Sequence, residues 1–457
     1  MFYVNREELF NEDGSLKIDM VSKYINYFQT KYQNTYKVLE EAYNRKLTDD
    51  VVVNLQKYIV DTITSYTFGE AIQYQNVSED YLNNMTAIDE DGHNINLARQ
   101  MSIYGKGYEF LFADEEEGIN LVTLSPVNTF VIYSDDIIPK PLVGVYFYEN
   151  IDLEGRISGY TVLLYTDEAQ IKCYGQNLDS LSIVEEGINF FGEVNILEVK
   201  NNVEEKSDFT DVNGLITKYE ELVTDRIQDK NSFVNKLLVI TNSSLGDTQE
   251  EFEQSKQILK EGGILELEND GDGTGATAQF ISQSFNEADV EVLRKALLDD
   301  IFRQAKIPNL SDDSFGNASS GISLRFKLYG TEMLASEKER AFKKHLRNRL
   351  RLINNLYTLK SKGFDLADID ITMIRSIPVG LDERLNELQA TEGILSLETR
   401  LARYDSEIDV KEEIKKLQAE KEENMQLMQN SFGNYHYGQT TEIDEDLEDK
   451  EEDKEEE

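Results

Sequence analysis

The chain has 457 residues, enough for two to four domains, and 40% of them are hydrophobic, enough for true cores. Its formal net charge is −42 with an isoelectric point near 4.4, so its overall field repels nucleic acid and disfavours a simple nucleic-acid-binding domain. One cysteine, Cys173, excludes an intramolecular disulfide, and three histidines exclude a Cys/His zinc set; a reducing compartment fits.

In chain order, Met1 to Phe10 lacks a basic n-region and an apolar h-region, so no secretory signal is expected. No apolar run approaches the roughly twenty residues that cross a bilayer, so no membrane is expected among the partners. Residues 1 to about 110 read as mainly helical, with Val21, Tyr24, Ile25, Phe28 and Tyr32 at helical spacing and a second amphipathic stretch from Val51 to Phe68. From Tyr104 the pattern becomes strands: 108–112, 119–124, 129–133, 142–148, 159–165, 170–174 and 195–199, separated by Glu/Asp/Gly turns. That spacing predicts an antiparallel sheet in an α+β region, with no βαβ alternation.

The stretch from Asp208 to Lys362 organises the rest. A first amphipathic helix is expected over 207–231, with Val212, Leu215, Ile216, Tyr219, Leu222, Val223 and Ile227 on one face. A second is expected over 286–306, with Val290, Leu293, Leu297 and Ile301 on one face, ended by Pro308. Between them lie short apolar runs with strand character, 236–240, 264–267 and 278–281. After Pro308 comes a polar loop, Ser311, Asp312, Asp313, Ser314, Phe315, Gly316, Asn317, Ala318, Ser319, Ser320 and Gly321, too rich in Gly and Ser to bury. Residues 322–362 then hold no Pro, and one continuous helix there would be roughly 60 Å long. A strand over 369–374, short helices over 381–388 and 392–404 and a charged helix over 410–429 follow. The tail from Thr440 to Glu457 carries twelve acids against two lysines, a block that repels itself and is expected to stay disordered.

Catalytic chemistry finds little support. Gly105-Lys106-Gly107 has Gln100 where a phosphate loop needs Gly, and Gly107 where it needs Ser or Thr. The run from Asp270 begins like a calcium loop, yet Ile281 stands at its twelfth position where a bidentate Glu belongs. His93, His345 and His436 are far apart in sequence and read as solvated surface residues. Acid pairs such as Asp299 and Asp300 are adjacent and carry no general acid/base spacing. No catalytic residue, cofactor or metal is expected. Charge distribution is more informative: Lys338, Arg340, Lys343, Lys344, Arg347, Arg349 and Arg351 gather within the long helix beside an apolar stripe of Phe342, Leu346, Leu350, Ile353 and Tyr357. Such a patch pairs with acids of neighbouring helices or chains, or faces DNA; the first is favoured.

The layout resembles the portal proteins of tailed bacteriophages, specifically the family in long-tailed phages of Gram-positive bacteria. The resemblance rests on Ser207-Asp208-Phe209 leading into the first helix, on Ile307-Pro308-Asn309-Leu310-Ser311-Asp312, on Phe315 to Ile322 running into Leu324-Arg325-Phe326-Lys327-Leu328, and on Glu339-Arg340 with the basic run after it. A weaker match runs from Ile103 to Glu109, followed by strands and Ser125-Pro126. The similarity spans about residues 20 to 430, and the order and spacing of these stretches carry it.

The resemblance implies a multidomain α+β portal fold. Its parts would be an N-terminal wing (1–206), stem helices (207–235 and 286–308) around a small β-containing clip (236–285), a tunnel loop (309–323), a returning wing with the long helix (324–380), a helical crown (381–432) and an acidic tail (433–457). It further implies a homo-oligomeric ring of about twelve subunits at one capsid vertex. Double-stranded DNA would pass through it without sequence specificity during packaging and ejection. The implied partners are the major capsid and scaffolding proteins, the terminase large subunit and the head-tail adaptor; the implied locations are the virion and, during assembly, the host cytoplasm. A ring of about twelve such chains would carry roughly −500 formal charges, so DNA would find no deep wells in a channel of that sign. The competing reading is a host cytoplasmic helical adaptor without enzymatic activity, although the apolar stripe is no sustained heptad.

Overall fold

The computed structural model describes residues 2–45, 53–113, 118–233, 237–241, 248–260, 277–281, 287–310, 321–376, 381–404 and 410–433. Two compact units divide the chain, Met1–Ile377 and Pro378–Glu457, and the whole is mixed α+β. In the first unit α1 (Arg6–Leu9), α2 (Ile18–Phe28), α3 (Asn34–Asn44), α4 (Leu55–Phe68), α5 (Glu79–Ala87) and α6 (Glu90–Tyr104) form the helical N-terminal part. A π-helical stretch, Gln29–Gln33, joins α2 to α3 with no break in the helical backbone. Side-chain oxygens of Asn54 and Ser78 accept from the Lys57 and Tyr81 N–H groups, satisfying orphan donors at the starts of α4 and α5.

The strands are β1 (Phe2–Val4), β2 (Gln73–Gln75), β3 (Lys106–Ala113), β4 (Ile119–Leu124), β5 (Thr129–Ser134), β6 (Pro141–Ile151), β7 (Ile157–Tyr165), β8 (Ala169–Gly175), β9 (Ser182–Ile188) and β10 (Ile196–Lys200). The expected antiparallel sheet is in fact two. One has the order β1-β5-β6-β7-β8-β9, with β1 parallel to β5 and the other pairings antiparallel. The other has the order β10-β3-β4. The division follows from side-chain alternation, since each sheet needs an apolar face covered. Phe28 of α2 stacks on Phe130 of β5 at 4.8 Å between ring centroids, closing one core over the six-stranded sheet. Leu97 and Met101 of α6 pack with Leu111, Ile119 and Val199 of the smaller sheet in a second core. Burying each Leu, Ile or Phe of this kind stabilises the fold by about 1.5–3 kcal/mol.

The middle of the chain gives α7 (Asn213–Phe233), β11 (Leu237–Thr241), α8 (Gln249–Lys260), β12 (Thr277–Ile281) and α9 (Glu287–Ala305). β11 pairs antiparallel with β12, so the stretch between α7 and α9 leaves and returns side by side. The helix α8 inside that insertion adds to the expected short strands, and 264–267 lies outside the described residues. The expected rod over 322–362 is two helices, α10 (Gly321–Lys327) and α11 (Tyr329–Leu359), parted at Leu328. β13 (Asp370–Thr372) pairs with β2. The second unit holds α12 (Leu381–Ala390), α13 (Leu397–Tyr404) and α14 (Val410–Gly433), with Arg400 donating to the Leu388 carbonyl at 3.3 Å. Among the described residues no helix is long and apolar enough to cross a membrane.

The Gly105-Lys106-Gly107 run has a structural explanation. Gly105 ends α6 at φ 82°, and a Cβ there would meet the Glu205 carbonyl oxygen at 2.0 Å. Lys106 is buried and donates to Glu205 at 2.6 Å. Burial opposes its charge, but Glu198 and Glu205 outweigh that and hold the ammonium above its ordinary value.

Candidate functional site

The helices α7 and α9 lie against each other as a hairpin rooted in the first unit. At the root Val212 just before α7, Ile216 and Tyr219 within it and Ile301, Phe302 and Ala305 of α9 are buried in the larger core. Farther along, Ile227, Val292 and Leu293 are exposed, so the apolar stripes run past the end of their covering. Polar links hold that part: Arg226 reaches Glu291 at 2.7 Å, and Arg294 reaches Glu291 at 2.6 Å and the Tyr219 hydroxyl at 3.3 Å. Hydrogen bonds from Arg294 and Arg226 pull the Glu291 carboxyl down to about 2.

The root is fixed by a buried polar joint. The Asp208 N–H and the Ser207 hydroxyl both donate to the Ser102 carbonyl at 3.0 Å. Lys338 of α11 donates to Asp208 Oδ2 at 2.7 Å, to Ser102 Oγ at 2.9 Å and to Asn201 Oδ1. After α9, the Tyr58 hydroxyl donates to the Pro308 carbonyl at 2.9 Å and accepts from the Leu310 N–H at 3.1 Å. Thr331 donates to the Lys306 carbonyl at 3.0 Å. The polar loop is therefore gripped just before it begins and resumes as helix α10 at Gly321. Residues Ser311 to Ser320 themselves lie outside the described residues, as does the tail from 434 onward.

The basic run of α11 divides by direction. Lys338 and Arg349 turn inward and are buried. Arg349 donates to Glu90 Oε1 at 2.6 Å, to Glu109 at 2.6 and 3.0 Å and to Asn94 at 2.7 Å. Lys343 pairs with Glu339 at 2.7 Å one turn back, and Arg351 with Glu193 at 2.8 Å. Arg340, Lys344 and Arg347 are exposed and form no ion pair among the described residues.

The histidine expectation is corrected. His345 is buried with Nε2 3.0 Å from Glu109, and His93 lies 2.7 Å from the same carboxylate. Its helical phase explains this: position 345 falls between Phe342 and Leu346 on the apolar stripe, as does Arg349 before Leu350. His436 lies outside the described residues. Burial opposes ionisation of Glu109, yet Arg349 and the two histidines hold its carboxyl well below the usual range. Burial also holds His345 below the ordinary imidazole value, with Glu109 opposing.

A stability prediction follows with a definite sign. Because the folded state binds a proton at His345 less readily than the unfolded chain, stability falls as pH drops through the unfolded value of 6.5. Between pH 7.5 and 5.5, where ordinary carboxylates barely titrate, the parent should lose at most about 1.4 kcal/mol relative to a His345→Gln variant. Thermal melts of both proteins at the two pH values check this; parallel shifts would contradict it. Glu109 extends the same acid sensitivity downward, its contribution being present above the ordinary 4.5 and lost below its depressed value.

Among the described residues no group of His, Cys, Asp and Glu is placed to hold a metal ion. What the site offers is a rooted helical hairpin, a polar stretch whose lead-in is anchored and an exposed cationic strip. That is the equipment of an assembly subunit. Residues 17–427 match the family described as "Phage portal protein, SPP1 Gp6-like", and the chain belongs to that family. The portal protein of Bacillus phage SPP1 is 24% identical over 406 residues, covering 83% of this chain and 79% of that protein. Among solved structures, a chain from the neck of an empty GTA particle computed with C6 symmetry covers 76% of this chain and 89% of itself, with a TM-score of 0.42 and 12% identity. The protein is thus a phage portal for DNA packaging, a structural component of the virion capsid that assembles as a ring at one vertex with DNA in its channel. The host-adaptor reading has no comparable support.

Proposed function

We propose that about twelve copies close into the ring, with α7 and α9 as its stem, the insertion 236–285 as the clip and residues 309–323 as the tunnel loop. The N-terminal α+β part together with α10 and α11 forms the wing, and α12 to α14 form the crown. The clip docks the terminase large subunit while the head fills and the head-tail adaptor afterwards. Assembly takes place in the host cytoplasm with major capsid and scaffolding proteins, and the ring carries no catalytic centre of its own. Arg340, Lys344 and Arg347 serve contacts between neighbouring copies.

The observation that carries this reading is the rooted hairpin followed by a polar stretch whose lead-in is gripped by Tyr58. Helices whose apolar stripes are covered at one end and exposed at the other need either more protein or more copies beside them. A loop of Ser, Asp, Gly and Asn can touch a moving polyanion without gripping it. Light scattering and negative-stain images of the purified protein test the ring. About twelve copies, seen end-on with a central hole, are expected. A monomer that stays monomeric with its capsid and scaffolding partners would end the proposal.

A further inference from the structure

A ring with cyclic symmetry needs a heterologous interface: two different, complementary surfaces on each chain, placed so that one copy's first surface meets the next copy's second. The six-stranded sheet presents such a pair at its two edges. At the β1 edge a cleft of 1750 Å³ opens between the sheet and α11. Its walls include Tyr3, Ile138, Tyr329 and Met333, each more than half exposed. Setting aside side chains already paired within the chain, it also holds Lys140, Arg340 and Lys344 against Asp136 and Glu337.

At the opposite edge, five strand spacings or roughly 24 Å away, stands β9. All seven of its residues are exposed. It reads Ser182-Ile-Val-Glu-Glu-Gly-Ile188, with three β-branched apolar residues, two acids and no lysine or arginine. Edge strands in folded proteins are commonly blunted by lysine, proline or a covering element. This one has none of these among the described residues, although a bulge interrupts its pairing beside Cys173. The contact of Glu185 with Lys172 is 3.9 Å long between exposed groups, so it holds the acid only weakly.

We infer that, in the ring, each copy seats its β9 strand in the cleft at the β1 edge of its neighbour. Ile183 and Ile188 meet the apolar walls on the face from which Glu186 meets Arg340 and Lys344, while Glu185 lies on the opposite face of the strand, beside Lys172. The inference rests on the ring reading and deepens it by naming the two surfaces that meet. It explains why cations that form no ion pair among the described residues persist on a protein of charge −42.

The test is a protein carrying Glu186→Cys and Lys344→Cys, with the buried Cys173 left in place, assembled into rings and treated with a short bis-maleimide. A denaturing gel should show a ladder from dimer up to the closed ring, and only monomer in either single variant. Intact rings that yield no ladder would overturn the inference and leave the ring standing; a parent that forms no rings at all would overturn the ring reading instead. Reversing Glu186 to Lys should abolish most of the ring fraction, and adding Arg340→Glu with Lys344→Glu should restore it. Failure of that restoration would count equally against the pairing.

Discussion

Replacing Arg349 by Met is expected to destabilise the first unit by about 3–5 kcal/mol, because it leaves Glu109 and Glu90 buried without their cation. The guanidinium is fully buried and ties α11 to α6 and β3 at once, through Glu90, Asn94 and Glu109. The methionine side chain fills most of the volume, so the loss is electrostatic more than steric. Arg347→Met, two residues away on the exposed face, should change stability by no more than about 0.5 kcal/mol. Thermal and urea unfolding of the two variants side by side decide the matter. Equal melting of Arg349→Met and the parent would show that His93 and His345 satisfy Glu109, and the Tyr74 hydroxyl Glu90, without the guanidinium.

Deleting Asp312 to Asn317 should leave rings intact and almost abolish DNA-filled heads. The deletion spares the grip on the chain before the loop, where Tyr58 holds Pro308 and Leu310, and the start of α10 at Gly321. The contacts seen at the loop's lead-in are therefore kept, while the channel loses side chains of the proposed tunnel loop, which we place at its narrowest part. Rings counted by light scattering and heads separated by density measure the two effects independently. Loss of rings would remove the tunnel-loop assignment. Full packaging would instead move the narrowest part of the channel elsewhere.

Periodicity made much of this fold readable. The strand Ile119–Leu124 stands where alternation and flanking turns put it, and the helix after the insertion begins and ends within one residue of its expected bounds. The helix before the insertion starts six residues late, at Asn213. What escaped had weak local signal. β9 places Glu185 and Glu186 side by side with no apolar alternation, and all seven of its residues are exposed among the described residues. β1 has three residues and exists only because β5 accepts it as a parallel neighbour, a tertiary fact. α8 is rich in Glu, Gln and Lys, so its helical propensity was legible, but few apolar residues marked it out.

The basic run is legible in part, since pairing with acids is the favoured reading and Lys338, Arg349 and Arg351 do pair with them. Charge alone suggests an outward patch, yet Lys338, His345 and Arg349 share the phase of Phe342, Leu346 and Leu350. Reading phase before charge would have sent them inward. Their partners, Asp208, Glu90 and Glu109, come from segments more than a hundred residues away, which no local pattern can name.

Ser102 sits where the end of α6, the lead-in to α7 and the side of α11 converge. Each link there is a hydrogen bond with a preferred direction, so the joint sets an angle as well as a separation. Greasy surfaces can slip over one another through small displacements at little cost. A buried ammonium cannot: tilting α7 at its root would strip Lys338 of Asp208 and leave a charge stranded in a dry interior. The hairpin behaves as a bracket bolted at one end. A hairpin held this way is expected to bend along its length before it tilts at the joint.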